Sequence, residues 1–343
     1  MMPIMIIPTR STMTHRFQAN LLVVFALAVS AIGGSSAEAQ RVPAGYSIYS
    51  ALTAPLWVTK EAGHFEKNGL GVDVIYLSGG TMASQALTSG DIPFTLTGGS
   101  SIISSNLAGS GSMILLGIEN AILFKLVTVK DIKSPEQLRG KRLAVASLSG
   151  STYQATVLAL AQFGIKPSEV TFMSIASAPT RLAALNSGTI HGTVVLPPDT
   201  IVARRMGMNF LLDLGALNIE FQNASISAGR QVLENKPETA RRFVKSMVEG
   251  IHTYKTDKAF SFKVLRKYLK TDDPELIEEA YSFYADKLPK KPYPTLKGIQ
   301  AILDQLAKTN PKAAGSNPGQ FVNVHFLREL DTSGYIDRLY ANP

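Results

Sequence analysis

The 343-residue chain contains no cysteine. That absence removes disulfides, thiolate metal sites, iron–sulfur clusters and cysteine nucleophiles together. Charged residues are also sparse, at 17% against 45% hydrophobic, a balance too apolar for disorder and sufficient for a large buried core. The chain has no G-x-S-x-G, no H-E-x-x-H and no G-x-G-x-x-G, so the common hydrolase, zinc-protease and dinucleotide signatures are missing. Beyond the N-terminal stretch the histidines are His64, His191, His252 and His325, with no pair at metal-ligand spacing. The formal charge of +8 is spread thinly, the densest groups being pairs such as Lys141-Arg142 and Arg204-Arg205. A nucleic-acid binder gathers such charge on one face among aromatics, and this chain does not.

Hydrophobic runs of membrane-spanning length are absent too. The longest, 21–32, is about a dozen residues where roughly 20 are needed. It follows Arg10 and Arg16 and precedes Ala37-Glu38-Ala39, which is the layout of a secretory signal peptide cleaved after Ala39. The remainder is expected to be an exported, soluble chain without a lipid anchor.

What the chain does contain is an internal repeat. ALTSGDIPFTLTG from Ala86 and ALNSGTIHGTVVL from Ala184 share Ala, Leu, Ser, Gly, Ile and Thr at an offset of 98, too long for a solenoid unit. The first copy reads as strand 46–51, helix 55–68, strand 72–77, helix 81–89 and strand 92–97. The second reads as strand 142–147, helix 152–163, strand 170–175, helix 179–187 and strand 190–196. Two β-α-β-α-β units imply parallel sheets with right-handed crossovers, hence an α/β protein of two lobes. Segments 123–130 and 221–228 flank the second copy and are expected to cross between lobes. The division is then 40–128 and 226–343 for the first lobe and 129–225 for the second. Helices are expected at 237–254, 258–269, 274–286, 296–308 and 321–339, with LPKKPYPT at 288–295 a surface connector whose charges face water.

Parallel sheets bind ligands outside the carboxyl ends of their strands, where helix N-termini offer free N–H groups. Six loops qualify, and they are rich in Gly, Ser and Thr with Asp199 as their only carboxylate. That suits an anionic or neutral polar ligand. The same hydroxyls are good helix caps, so part of the set serves the helices alone. Ser149-Gly150-Ser151-Thr152 is the best oxyanion seat among them. Trp57, the single tryptophan, either stacks on a ligand from the first helix or belongs to the core. Glu119 reads as an exposed loop carboxylate, with the cleft as its alternative place.

The stretch APLWVTKEAGHFEKNGLGVDVIYLSGG from Ala54, then ALTSGDIPF, then IKSPEQLRGKRLAV from Ile132, resembles the nitrate, sulfonate and taurine type of ABC-transporter solute-binding proteins, a superfamily that includes thiamine-pyrimidine synthase. The resemblance runs over about residues 45–260 and implies a type II periplasmic-binding fold, two α/β lobes on two crossover strands that close over one solute and hand it to an inner-membrane permease. It further implies ligand contacts after the strands. By position these are Thr53, Gly80, Thr81, Gly99 and Ser100 in the first lobe and Ser149, Gly150, Ser151, Thr152 and Asp199 in the second. The implied protein is a periplasmic monomer with a small-molecule solute as ligand and no cofactor. Asp199 departs from a neutral rim and leaves room for an organic acid or a heterocycle beside a sulfonate. A sensory receptor on the same body is the second reading. An enzyme is the third, and the cysteine-dependent enzymes of this superfamily are excluded by composition.

Overall fold

The computed structural model describes residues 40–148 and 150–341. Two five-stranded sheets organise them. The first has the order β2-β1-β3-β10-β4, built from β1 (Gln40–Tyr46), β2 (Leu70–Tyr76), β3 (Phe94–Thr97), β4 (Met113–Ala121) and β10 (Glu220–Ala228). The second has the order β7-β6-β8-β5-β9, from β5 (Lys125–Thr128), β6 (Arg142–Val145), β7 (Thr171–Ser174), β8 (Gly192–Val195) and β9 (Asn209–Asp213). In each, the three strands of one repeat copy run parallel, and the next strand, β10 or β5, has crossed from the other sheet and pairs antiparallel. The chain therefore forms two α/β lobes, changing sheet at 122–124 and at 214–219. The two crossings touch, Ile122 N donating to Ile219 O and Leu214 N to Phe124 O.

The helices that position the cleft are α1 (Ala54–Glu61), α2 (Gly80–Ser89), α3 (Gly99–Leu107), α4 (Ser151–Gln162), α5 (Ala178–Asn186) and α6 (Asp199–Arg205). Behind the first sheet lie α7 (Pro237–Thr256), α8 (Lys258–Leu269), α9 (Pro274–Lys287) and α10 (Leu296–Leu306). Helix α7 buries Phe243, Met247 and Ile251 at four-residue spacing, the stripe a 3.6-residue period demands. Phe243 stacks on Phe94 at 4.0 Å between ring centroids and meets Phe65 at 5.0 Å. Among the described residues no helix is long and apolar enough to cross a membrane.

Several sequence expectations need correction. The first strand ends at Tyr46, where 46–51 had been the expected strand, and 51–53 is a 3-10 turn. The helix expected at 55–68 is broken at Gly63, φ +72°, and that expected at 321–339 becomes His325–Thr332 and Tyr335–Ala341, separated at Gly334, φ +69°. Both breaks fall at glycines, which take the left-handed backbone of a helix stop without a Cβ penalty. The connector 288–295 does not simply face water. Gly117 N donates to Pro292 O and Asn120 Nδ2 to Tyr293 O, each at 2.8 Å, and Lys291 pairs with Asp331 and Asp337. Glu119 is buried on β4, 5% exposed, and is no loop carboxylate.

Candidate functional site

The carboxyl ends of both sheets converge on one cleft. The first lobe contributes the segment after β1, from Ser47 to Ser50 with Leu52, together with Gly80, Gly98 and Ser101. Phe124, in the first crossing, forms the back wall. The second lobe contributes Ala146, Ser147, Gly150, Ser151 and Thr152 after β6, Ala176, Ala178 and Arg181 at the start of α5, and Leu196 and Asp199 after β8.

The expected site residues divide between this cleft and its surroundings. Gly80, Gly150, Ser151, Thr152 and Asp199 line it. Ser149 lies outside the described residues. Thr53 is fully buried and gives its hydroxyl to Ile48 O at 2.5 Å, so it shapes the turn after β1 without facing the cleft. Because that strand ends five residues earlier than expected, Ser47 to Ser50 take the place assigned to Thr53. Trp57 is a core residue, stacked on Tyr268 at 4.7 Å and edge-on to Tyr46 at 5.7 Å. Gly99 backs onto β10, where an added Cβ would meet Gln222 O at 2.5 Å, and Ser100 is wholly buried. The helical period explains this shift: Gly98 and Ser101 are three apart and share the cleft face, whereas Gly99 and Ser100 turn away. Thr81 is exposed and lines a separate groove between α2 and α3.

Arg181 is the residue that loop reading missed. It is 4% exposed in the cleft wall, and three bonds hold it there: Nε donates to Thr193 Oγ1 at 3.0 Å, and Nη1 to Ile175 O at 3.0 Å and Ala176 O at 2.9 Å. Its Nη2 makes no bond among the described residues. The lone charge in A-P-T-R-L-A-A-L-N was the available signal, since an arginine inside an apolar helical stretch needs acceptors at hand. Burial lowers its pKa to about 10, against the opposing pull of Asp199 and Tyr76. Burial likewise pushes Asp199 up to about 6, with Arg181 working in the other direction. The two share the site's field but form no direct ion pair among the described residues.

Each of these groups faces an aromatic hydroxyl of the first lobe. The Tyr76 hydroxyl is raised chiefly by burial and held down by Arg181; that of Tyr49 is raised by burial and then by Asp199. Tyr46, Tyr49 and Tyr76 pack together at 5.4 to 5.7 Å. Ser147 Oγ is buried in the cleft without a partner among the described residues. Ser151 and Thr152 are already engaged: Ser151 Oγ donates to Asn223 O at 2.8 Å, and Thr152 Oγ1 accepts from Ala146 N at 2.8 Å. What remains for a ligand among the described residues is a guanidinium edge, a serine hydroxyl and one carboxyl group, with Tyr49 in the lining. Such a site holds an acidic head at Arg181 and a hydrogen-bond donor at Asp199.

Residues 51–257 match the protein family described as NMT1/THI5 like. The taurine-binding periplasmic protein of Escherichia coli K12 is 28% identical over 211 residues, 60% of this chain and 65% of that protein; the chain thus spans about two thirds of the length of this relative. Among solved structures, the alkanesulfonate-binding protein of Xanthomonas axonopodis pv. citri bound to MOPS superposes with TM-score 0.67 at 15% identity, covering 85% of this chain and 98% of its own. The periplasmic nitrate-binding protein of Synechocystis PCC 6803 superposes with TM-score 0.71 at 14% identity, covering 86% and 89%. These structural likenesses establish the periplasmic-binding fold.

Proposed function

The chain belongs to the NMT1/THI5-like family, and from that membership we propose that it is the extracytoplasmic solute-binding component of an ABC importer. It captures a small organic anion in the cleft and delivers it to a membrane permease. The observation that carries this reading is Arg181, a buried guanidinium fixed by three bonds to its own lobe with one nitrogen left over for a ligand. An acid group there gains a charge-assisted bond worth about 1.5 to 3 kcal/mol. Asp199 favours a solute that also carries a donor, and the names of the relatives, taurine, alkanesulfonate and nitrate binders, point to the same class of acid.

Binding selects the closed arrangement because the solute contacts both lobes, so a filled cleft adds free energy to closure. The cleft supports binding over turnover. Ser151 and Thr152 are engaged with backbone, and no histidine lines the cleft among the described residues. The N-terminal segment 1–39 acts as a cleaved export signal in this reading, which places the mature protein in the periplasm.

Thermal unfolding of the purified protein with taurine, alkanesulfonates, nitrate and carboxylates is the direct test. A ligand at a hundredfold excess over Kd stabilises by about 2.7 kcal/mol, a clear rise in Tm. Arg181→Gln should weaken binding of the responding acid at least about tenfold. No shift with any acid, or full affinity in Arg181→Gln, would overturn the assignment.

A further inference from the structure

Behind the cleft, on the other side of Leu52, a second cavity lies where β4 leaves the first sheet. Pro55, Glu119, Leu123, Tyr284 and Lys287 bound it. The β4–β10 ladder is interrupted here: pairing passes from Glu220 opposite Ala121 to Ala224 opposite Glu119 with a register shift between them. Side chains replace the missing backbone bonds. Gln222 Nε2 donates to Ala224 O at 2.9 Å, and Thr295 N donates to Gln222 Oε1 at 3.0 Å. Asn223 faces two ways. Its side-chain Nδ2 donates to Glu119 Oε2, and its main-chain carbonyl accepts the 2.8 Å bond from Ser151 Oγ, which belongs to the cleft loop of the opposite lobe. Glu119 Oε1, buried in the cavity, has no partner among the described residues.

We propose that Glu119 governs lobe closure from outside the cleft: by fixing Asn223 it holds the Asn223 carbonyl where Ser151 of the second lobe reaches it, which makes Glu119 a positioning residue for solute capture. Its importance for transport rests on the importer reading above, whereas its control of closure does not. The cavity has a second consequence. Burial raises the Glu119 carboxyl to about 8, with the Asn223 bond and Lys287 acting in the opposite direction. The groups facing it are Lys287 and Tyr284 of α9, with Tyr254 of α7 and Asp199 beyond Tyr284; β10 presents only the amides of Gln222 and Asn223, and the start of α1 presents Pro55. A protonated Glu119 fits this position, where its Oε1 is buried without a partner among the described residues. An ionised one favours arrangements in which the crossing loosens and water reaches the carboxylate.

The sign follows from linkage. A group whose pKa is raised in the closed form favours closure fully below its hydrated value and loses that effect as pH rises through the closed-form value. The open-to-closed ratio therefore climbs by up to about tenfold per pH unit between about pH 5 and about pH 8, then levels off. Since the chain has no cysteine, spin labels at Gln85→Cys in the first lobe and Ser168→Cys in the second report lobe separation by pulsed dipolar spectroscopy without solute. Asp199 titrates in the same window, so the decisive comparison is with Glu119→Gln, which leaves Asp199 in place. The parent should shift to longer distances over that range, Glu119→Gln should lose most of that response, and Ser151→Ala should show the longer distances throughout. Glu119→Gln responding to pH as the parent does, or Ser151→Ala matching the parent's distances, would overturn the proposal. Ser151→Ala tests the latch even if Glu119→Gln does not fold. Adding the acids to the labelled parent tests the importer reading separately: distances indifferent to every acid would count against that reading, while the solute-free pH arm still decides whether Glu119 governs closure.

Discussion

Arg181 and Asp199 show how two charges share a small polar site without neutralising each other. Arg181 satisfies its buried charge through carbonyls and Thr193, which leaves Asp199 to bear its own desolvation. The cost has a pH signature. With its pKa raised from 3.8 to about 6, Asp199 contributes its full stability below about pH 4 and loses it as pH rises through about 6. Asp199→Asn should therefore be about 1 to 2 kcal/mol more stable than the parent at about pH 7.5 and show no such gain at about pH 4. Thermal unfolding across that range measures it, and a gain independent of pH would refute the cause given. Asp199 was legible in the sequence as the one carboxylate of its loops. Arg181 was not, because it sits one turn inside a helix and only packing shows which face of that helix is turned to the cleft.

Glycines decide how closely the elements approach. Helix α7 lies against α1 at Gly250, where an added Cβ would fall 1.8 Å from Thr59 Oγ1 and 2.8 Å from Thr59 Cα. The last of these is backbone and cannot rotate away. Gly250→Ala should thus destabilise the protein by about 1 to 3 kcal/mol through overpacking, even though alanine is the better helix former by about 1 kcal/mol. A lowered denaturation midpoint at unchanged m-value is the expected result; a raised midpoint would mean the helices separate freely. At this scale the sequence reading came close for most elements. The strand expected at 170–175 is Thr171–Ser174, and the helix expected at 258–269 has those bounds. It failed at β1, since Tyr46 to Ala51 alternates like a strand and yet follows the sheet's edge into a turn.

For the molecule as a whole, the two lobes meet across glycine. A Cβ at Gly98 would lie 2.2 Å from Ser151 Oγ and 3.3 Å from Ser151 N, and Arg205 of α6 reaches Asp273 and Glu275 at the start of α9. Gly98 has an ordinary extended backbone, so Gly98→Val should leave both lobes folded and wedge them apart. The expected results are a larger radius of gyration in solution scattering and at least about a tenfold loss of solute affinity; an unchanged radius with unchanged affinity would mean that the lobes do not close along this line. The repeat at offset 98 and the strand–helix alternation determined two α/β lobes and the edge on which their loops gather, because period and handedness act locally and carry over from copy to copy. The choice among neighbouring residues was made by tertiary structure. Whether Ser100 or Ser101 faces the cleft depends on helical phase against β10. Whether Glu119 meets water depends on α9, a helix from far along the chain, closing over it, since burial is a property of what packs against a residue and not of the residue or its neighbours in sequence.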